Sequence, residues 1–186
     1  MDARLSLAVI GAGRAGQARV RALAESRTAR LAALVSFRAP AGATFADVLA
    51  DRSISAVILC TPNLLHPDQA RAALRAGKHV LVEFPLAPGP AQARELFAIA
   101  SERGLVLHEE HIELLSPAQA WLRERAARLG RPRSGVVDFR GAHSGWLADP
   151  RLAGTPALCA LARLHRLVDL FGEARVRGAR LERGDG

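Results

Sequence analysis

The run Gly11-Ala12-Gly13-Arg14-Ala15-Gly16 lies between an apolar stretch, Leu5 to Ile10, and a helix-compatible stretch, Arg14 to Glu25. Placed on a strand-to-helix turn, three glycines at this spacing have separate uses. The first permits the tight turn, the second lets the backbone approach a pyrophosphate, and the third lets helix and strand pack closely. The first N–H groups of the helix then point at the bound anion. The position of the run, more than its composition, predicts a βα unit with a phosphate cradle at its turn.

The rest of the chain repeats that rhythm. Apolar runs at Leu31 to Val35, Ala56 to Cys60, His79 to Glu83 and Leu105 to His108 read as strands. Between and after them, Leu64 to Ala76, Ala91 to Arg103 and Pro117 to Leu129 read as helices, the first two closed by Gly77 and Gly104. In the first helix, Ala15, Ala18, Leu23 and Ala24 suggest the buried face. Strands alternating with helices of ~10–15 residues argue for a parallel sheet covered on both faces. The texture changes after Gly130-Arg131-Pro132: Gly135 to Gly141 reads as a strand, Ala142 to Pro156 as a loop, Leu158 to Phe171 as a helix and Ala174 to Glu182 as a last strand. The expected organisation is α/β, with a Rossmann-type domain over 1–129 and a short, incomplete α+β segment over 130–186. Two strands and one helix are marginal alone, so the tail needs a partner surface, and its exposed edge predicts a homo-oligomer.

Composition narrows the class. Of 186 residues 49% are apolar and 24% charged, enough to close a core, and no apolar run approaches the ~20 residues that cross a bilayer. Asp2 and Arg4 break any signal-peptide pattern at the start, so a soluble cytoplasmic protein is expected, with no membrane partner. Cys60 and Cys159 offer no disulfide framework, and each reads as a small buried hydrophobe. The net charge of +8 is almost wholly arginine, Lys78 being the only lysine among 26 basic residues. Arginine clamps carboxylates and phosphates bidentately, which suits an anionic small molecule; no aromatic-rich stretch supports nucleic acid.

A carboxylate ~20 residues beyond the glycines accepts the ribose 2′-hydroxyl in NAD-preferring versions of this cradle. Here the second strand runs into Ser36-Phe37-Arg38. NADPH is therefore expected over NADH, with Ser36 hydrogen-bonding and Arg38 pairing with the 2′-phosphate. Arg38 is equally readable as one more arginine of a basic surface.

Two longer motifs, Thr61-Pro62-Asn63-Leu64-Leu65-His66 and Ala76-Gly77-Lys78-His79-Val80-Leu81-Val82-Glu83, resemble the N-terminal half of the Gfo/Idh/MocA oxidoreductases. Most members follow the last strand with Glu-Lys-Pro, whose lysine assists sugar-hydroxyl chemistry; this chain has Glu83-Phe84-Pro85. An aromatic there, with Val106 to Leu115, Ala162-Arg163-Leu164 and Leu167 to Glu173, is similar to the biliverdin reductase branch of the family, and the likeness runs from residue 5 to about 182. The Asp and His that sugar-oxidising members carry have no counterpart, and Arg163 falls close to where that histidine would stand.

The resemblance implies hydride transfer from NADPH to the central methine carbon of a linear tetrapyrrole. It assigns cofactor contact to Gly11, Gly13, Arg14, Ala15, Gly16, Ser36, Arg38, Thr61, Pro62, Asn63, His66, Glu83 and Phe84. Thr61, Pro62 and Asn63 would act through main chain, Glu83 and Pro85 would shape the backbone below the nicotinamide, and His66 reads equally as a helix cap. Arg163 is the candidate partner of a propionate, with Arg166 second. Glu110 and Glu109, at the C-terminal edge of the sheet, are candidate general acids and equally candidate structural acceptors. His108 and His111 lack a convincing third ligand, so no metal is expected.

Two departures from that branch bear on its activity. The chain has no tyrosine, so Phe84 can pack on a ring without donating a proton. Members of the family also continue into a large sheet that walls the substrate cleft, so an open cleft is expected. Two other readings stay open: the same family acting on another small carbonyl or imine substrate, and a non-catalytic NADP-binding relative.

Overall fold

The computed structural model describes residues 4–37, 42–130, 136, 138, 139 and 145–180. Five strands, β1 (Leu5–Ile10), β2 (Ala29–Val35), β3 (Ala56–Leu59), β4 (His79–Val82) and β5 (Leu107–Glu109), form one parallel sheet in the order β2-β1-β3-β4-β5. β1 sits between β2 and β3, so the connections leave it in opposite directions. The carboxyl ends of β1 and β3 therefore border the crevice where open α/β sheets bind ligands.

Alternation along the strands sends residues to two faces. Ala8, Ile10, Val57, Leu59, Val80 and Val82 join the larger core, which is covered by α2 (Phe45–Ala50), α3 (His66–Arg75) and α4 (Pro90–Glu102) through Val48, Leu74 and Leu96. Val9 and Ile58 face the other way and meet α1 (Arg14–Glu25). The face that α1 buries is Gly16, Val20 and Leu23, spaced by four and three residues as a helix requires. Ala18 and Ala24, expected inside, are exposed because they fall off that stripe. Coverage of the sheet is correspondingly unequal: on the α1 side an apolar groove runs past Leu7, Ile58, Leu81 and Val106.

The short helix α2 carries a start signal not used in the sequence reading. Thr44 accepts from the Asp47 N–H while the Asp47 carboxylate accepts from the Thr44 N–H, a reciprocal capping box. Next to it, the ammonium of Lys78, 4% exposed, donates to the carbonyls of Asp51 and Ile54 and fixes the turn that leads into β3.

The chain divides by contact into two units: the described residues of 1–110 with those of 141–161, and the described residues of 111–140 with those of 162–186. In the first unit, the stretch expected to be a loop contains a 3-10 turn (Gly145–Ala148) and α7 (Pro150–Ala153), and the helix expected from Leu158 is interrupted, its start lying in a separate short helix, α8 (Pro156–Cys159). Pro150 and Pro156 each follow a residue suited to start a helix, Asp149 and Thr155. The second unit holds α5 (Ile112–Leu115), α6 (Pro117–Leu129) and α9 (Leu161–Phe171) from Ala162 onward. Gln119, fully buried, and Arg123 both bond the Asp169 carboxylate, which ties α6 to α9.

Neither tail strand is present among the described residues. Val136, Asp138 and Phe139 have no strand pairing, and 174–180 carry no regular element; the other residues of those two stretches lie outside the described set. A strand needs a neighbour to satisfy its N–H and C=O groups, and none is supplied there. The edge from which self-association was expected is therefore missing from 174–180. No described helix is long and apolar enough to cross a membrane.

Candidate functional site

At the end of β1, Gly11 has φ +106°, and a Cβ there would collide with the Cys60 carbonyl of the loop after β3. At Gly16 a Cβ would collide with the Gly11 carbonyl. Both glycines are buried and are needed for close approach of chain to chain. Gly13 differs: it is exposed, and a Cβ on it would meet nothing within 4 Å, so the space in front of its backbone is open. It is also the N-cap of α1, with no side-chain cap and no acidic residue in the first turn. Unclaimed helix N–H groups beside an open backbone fit a pyrophosphate.

Beyond β2 the structure describes Ser36, half-buried, and Phe37, 64% exposed; Arg38 lies outside the described residues. No carboxylate stands at Ser36 or Phe37, which is the feature expected to turn preference toward the 2′-phosphate.

The polar side chains of the Thr61 to His66 motif, those of Thr61, Asn63 and His66, turn inward. The Thr61 hydroxyl donates to Gln69 Oε1 at 2.5 Å, and Asn63 Nδ2 donates to the Ala153 carbonyl at 3.0 Å, holding α7 against the 3-10 turn Asn63–Leu65. His66, 1% exposed, has Nδ1 2.8 Å from the Pro85 carbonyl oxygen and Nε2 2.8 Å from that of Thr61. It starts α3 without capping it, since its ring spans two loops. What this motif can offer a cofactor is main chain.

Glu83, Glu109 and Glu110 end β4 and β5, and the structure gives all three bracing contacts. Arg19 Nε donates to Glu83 Oε1 at 2.7 Å, and its Nη2 lies 3.5 Å from Glu110 Oε1. Burial works against the Arg19 charge, but Glu83 and Glu110 outweigh it and raise the pKa. Glu109 accepts from the Leu86 N–H at 2.8 Å. The loop from Glu83 to Leu86 is thus pinned from α1 by Arg19, from α3 by His66 and from β5 by Glu109. Phe84 rides on that loop half-buried. Cys60, beside Glu83, has its thiol pushed up to about 12 by burial and by the neighbouring carboxylate, which makes it inert.

Arg19 is the residue of this site that no sequence motif nominates. It sits three positions past Gly16, and its partners lie 64 and 91 positions along the chain. No local pattern carries that signal.

In the second unit, the Arg163 guanidinium stacks 4.0 Å above the Phe139 ring and lies 3.4 Å from Glu113, which Arg166 also meets at 3.3 Å. Two guanidiniums thus share the Glu113 carboxylate. His111 and His165 meet through Nδ1 at 3.1 Å, and His108 is exposed on β5.

The model of an oxidoreductase family with an NAD-binding Rossmann fold, Gfo/Idh/MocA, matches residues 5–111. Biliverdin reductase A of Mus musculus is 34% identical over an alignment covering 96% of this chain and 62% of that protein. The Homo sapiens protein of the same name is also 34% identical, with 97% and 63% covered. Among solved structures, biliverdin reductase from Synechocystis sp. PCC 6803, in complex with biliverdin and NADP+, superposes with a TM-score of 0.78. It is 28% identical, and 92% of this chain and 60% of that one are covered. The chain spans about three fifths of the length of these relatives.

Proposed function

Because the chain belongs to the Gfo/Idh/MocA oxidoreductase family, with the NAD-binding Rossmann fold over residues 5–111, we propose that it is an NADPH-dependent reductase of linear tetrapyrroles acting in the cytoplasm. The observation that carries this reading is the joint likeness to three biliverdin reductases across more than nine tenths of the chain. Bound dinucleotide supplies the hydride. The remaining work is positioning, and it falls to this chain's own residues.

Gly11, Gly13, Arg14, Ala15 and Gly16 receive the pyrophosphate, and Ser36 and Arg38 receive the 2′-phosphate. Thr61, Pro62 and Asn63 contribute backbone, while the pinned Glu83–Leu86 loop presents the Phe84 ring as an apolar surface. Arg163, pre-aligned by Phe139 and Glu113, takes a propionate carboxylate of the substrate, with Arg166 beside it. Glu109 and Glu110 serve as braces.

The deciding experiment follows loss of NADPH absorbance and gain of bilirubin absorbance together under anaerobic stopped flow. Coupled changes are expected, with Arg163→Ala raising the KM for biliverdin about tenfold or more through loss of a charge-assisted contact. Tight NADPH binding without bilin turnover would instead support a non-catalytic module. Faster consumption of NADPH by another carbonyl or imine compound would support a different substrate.

Cofactor choice gives a second test, because a carboxylate at the end of β2 would accept the ribose hydroxyls and repel a 2′-phosphate. Ser36→Asp should shift the NADPH to NADH affinity ratio toward NADH by roughly tenfold or more. An unchanged ratio would remove Ser36 from the 2′-phosphate site.

A further inference from the structure

His66 is held by two acceptors and no donor. Its Nδ1 lies 2.8 Å from the carbonyl oxygen of Pro85, in the loop after β4, and its Nε2 lies 2.8 Å from that of Thr61, in the loop after β3. A carbonyl oxygen only accepts, and a neutral imidazole carries one N–H. In the neutral ring one nitrogen therefore turns a lone pair on a carbonyl, and that contact must lengthen. Only the imidazolium donates to both. These are the loops that border the cofactor crevice beyond β3 and β4, so the ring joins them fully in one protonation state.

We propose that His66 is a proton-dependent positioning residue: doubly protonated, it ties the Thr61 and Pro85 loops together and tightens dinucleotide binding; neutral, it releases one of them. The proposal rests on the dinucleotide reading of the crevice. The acidic groups that bear on the ring are Glu83, after β4, and Glu109, on β5. Glu83 is paired with Arg19 and Glu109 with the Leu86 N–H, and Asp68 is the acidic residue in the first turn of α3 itself. Burial of the ring lowers its pKa, against the pull of the Pro85 and Thr61 carbonyls and of the two glutamates. The neutral, half-released form is then the resting one near pH 7, and the full tie forms on acidification.

The sign of linkage separates this role from a purely structural one. A histidine whose folded pKa is lowered contributes stability above its unfolded pKa of ~6.5 and loses it as pH falls. Acidification should therefore lower fold stability through His66 while it raises dinucleotide affinity through the same residue.

The test measures NADPH affinity by fluorescence between pH 8 and 5.5 for the full 186-residue chain and for His66→Gln, whose amide has one donor group and one acceptor as the neutral ring does. Taking the ratio of the two removes titration of the NADPH phosphate. The ratio is expected to favour the wild type about fivefold more at pH 5.5 than at pH 8, the usual effect of one hydrogen bond. Ring 15N NMR of the wild type, which needs no variant to fold and no cofactor to bind, should show both His66 nitrogens protonated at the acid end. A flat ratio, or a ring that keeps a single N–H across the range, overturns the proposal. If no dinucleotide binds at any pH, the cofactor reading fails and the effect on binding fails with it; the ring spectrum then separately reports whether the proton-dependent tie exists.

Discussion

Alanine at Gly16 should abolish NADPH binding and destabilise the fold by about 3 kcal/mol or more, a cost in the class of backbone overpacking. The added methyl would strike the Gly11 carbonyl, which is backbone and has nowhere to move, since the Gly11 N–H is itself bonded to the Val35 carbonyl at 2.9 Å. Relief requires α1 to lift from β1, which strips Leu23 and Val20 from Val9 and Ile58 and swings the helix N-terminus off the phosphate. Urea unfolding and fluorescence titration with NADPH check both halves. Gly13→Ala is the control, because its Cβ enters open space: it should cost little stability and still weaken NADPH, since that space is what the pyrophosphate fills. Equal loss of stability in the two variants would contradict the division of labour among the glycines.

Methionine at Arg19 should cost about 3 kcal/mol of stability, within the range found when one partner of a buried ion pair is removed. The side chains of Glu83 and Glu110 are 17% and 6% exposed, and without Arg19 the part-buried Glu83 carboxylate loses the guanidinium that pairs with it, while Glu110 loses a cationic neighbour. The partial exposure of Arg19, 22%, keeps the cost from the top of that range. Pairing Arg19→Met with Glu83→Gln should recover part of the loss. In a double-mutant cycle the coupling should exceed 1 kcal/mol, roughly the upper bound for an exposed pair. A coupling near zero would mean that Glu83 is held by its backbone alone.

How legible all this was in the sequence depended on how local the causes are. β1, the glycine turn and α1 were read to their boundaries, because a run of six residues fixes its own geometry. α6 was read to the residue from Pro117 to Leu129, where Ser116 caps the start and Gly130, at φ +74°, ends it. The capping box of α2 is equally local, a threonine and an aspartate three residues apart, but it opens a helix of only six residues. The site was less legible than the fold. Glu109 and Glu110 are visible as carboxylates at a sheet edge, but the contacts that hold them, with a backbone N–H at Leu86 and an arginine on α1, are not. The same holds for Asn63, whose partner lies 90 residues away in α7, and for Arg163, whose alignment depends on Phe139. The strand expected from Ala174 is absent from the described residues 174–180 for a related reason: an apolar pattern can nominate a strand, but pairing partners make one.

Lys78 carries a consequence of a different kind. The chain's only lysine spends its ammonium on two main-chain carbonyls and is almost wholly covered. A folded molecule therefore has 26 basic residues and no lysine amine on its surface. Reagents and enzymes that search proteins for a side-chain amine, whether to cross-link, acylate or tag them for destruction, meet a strongly cationic protein with no such amine exposed. The amine comes within their reach when the turn before β3 opens, so modification of Lys78 would mark molecules that have begun to unfold.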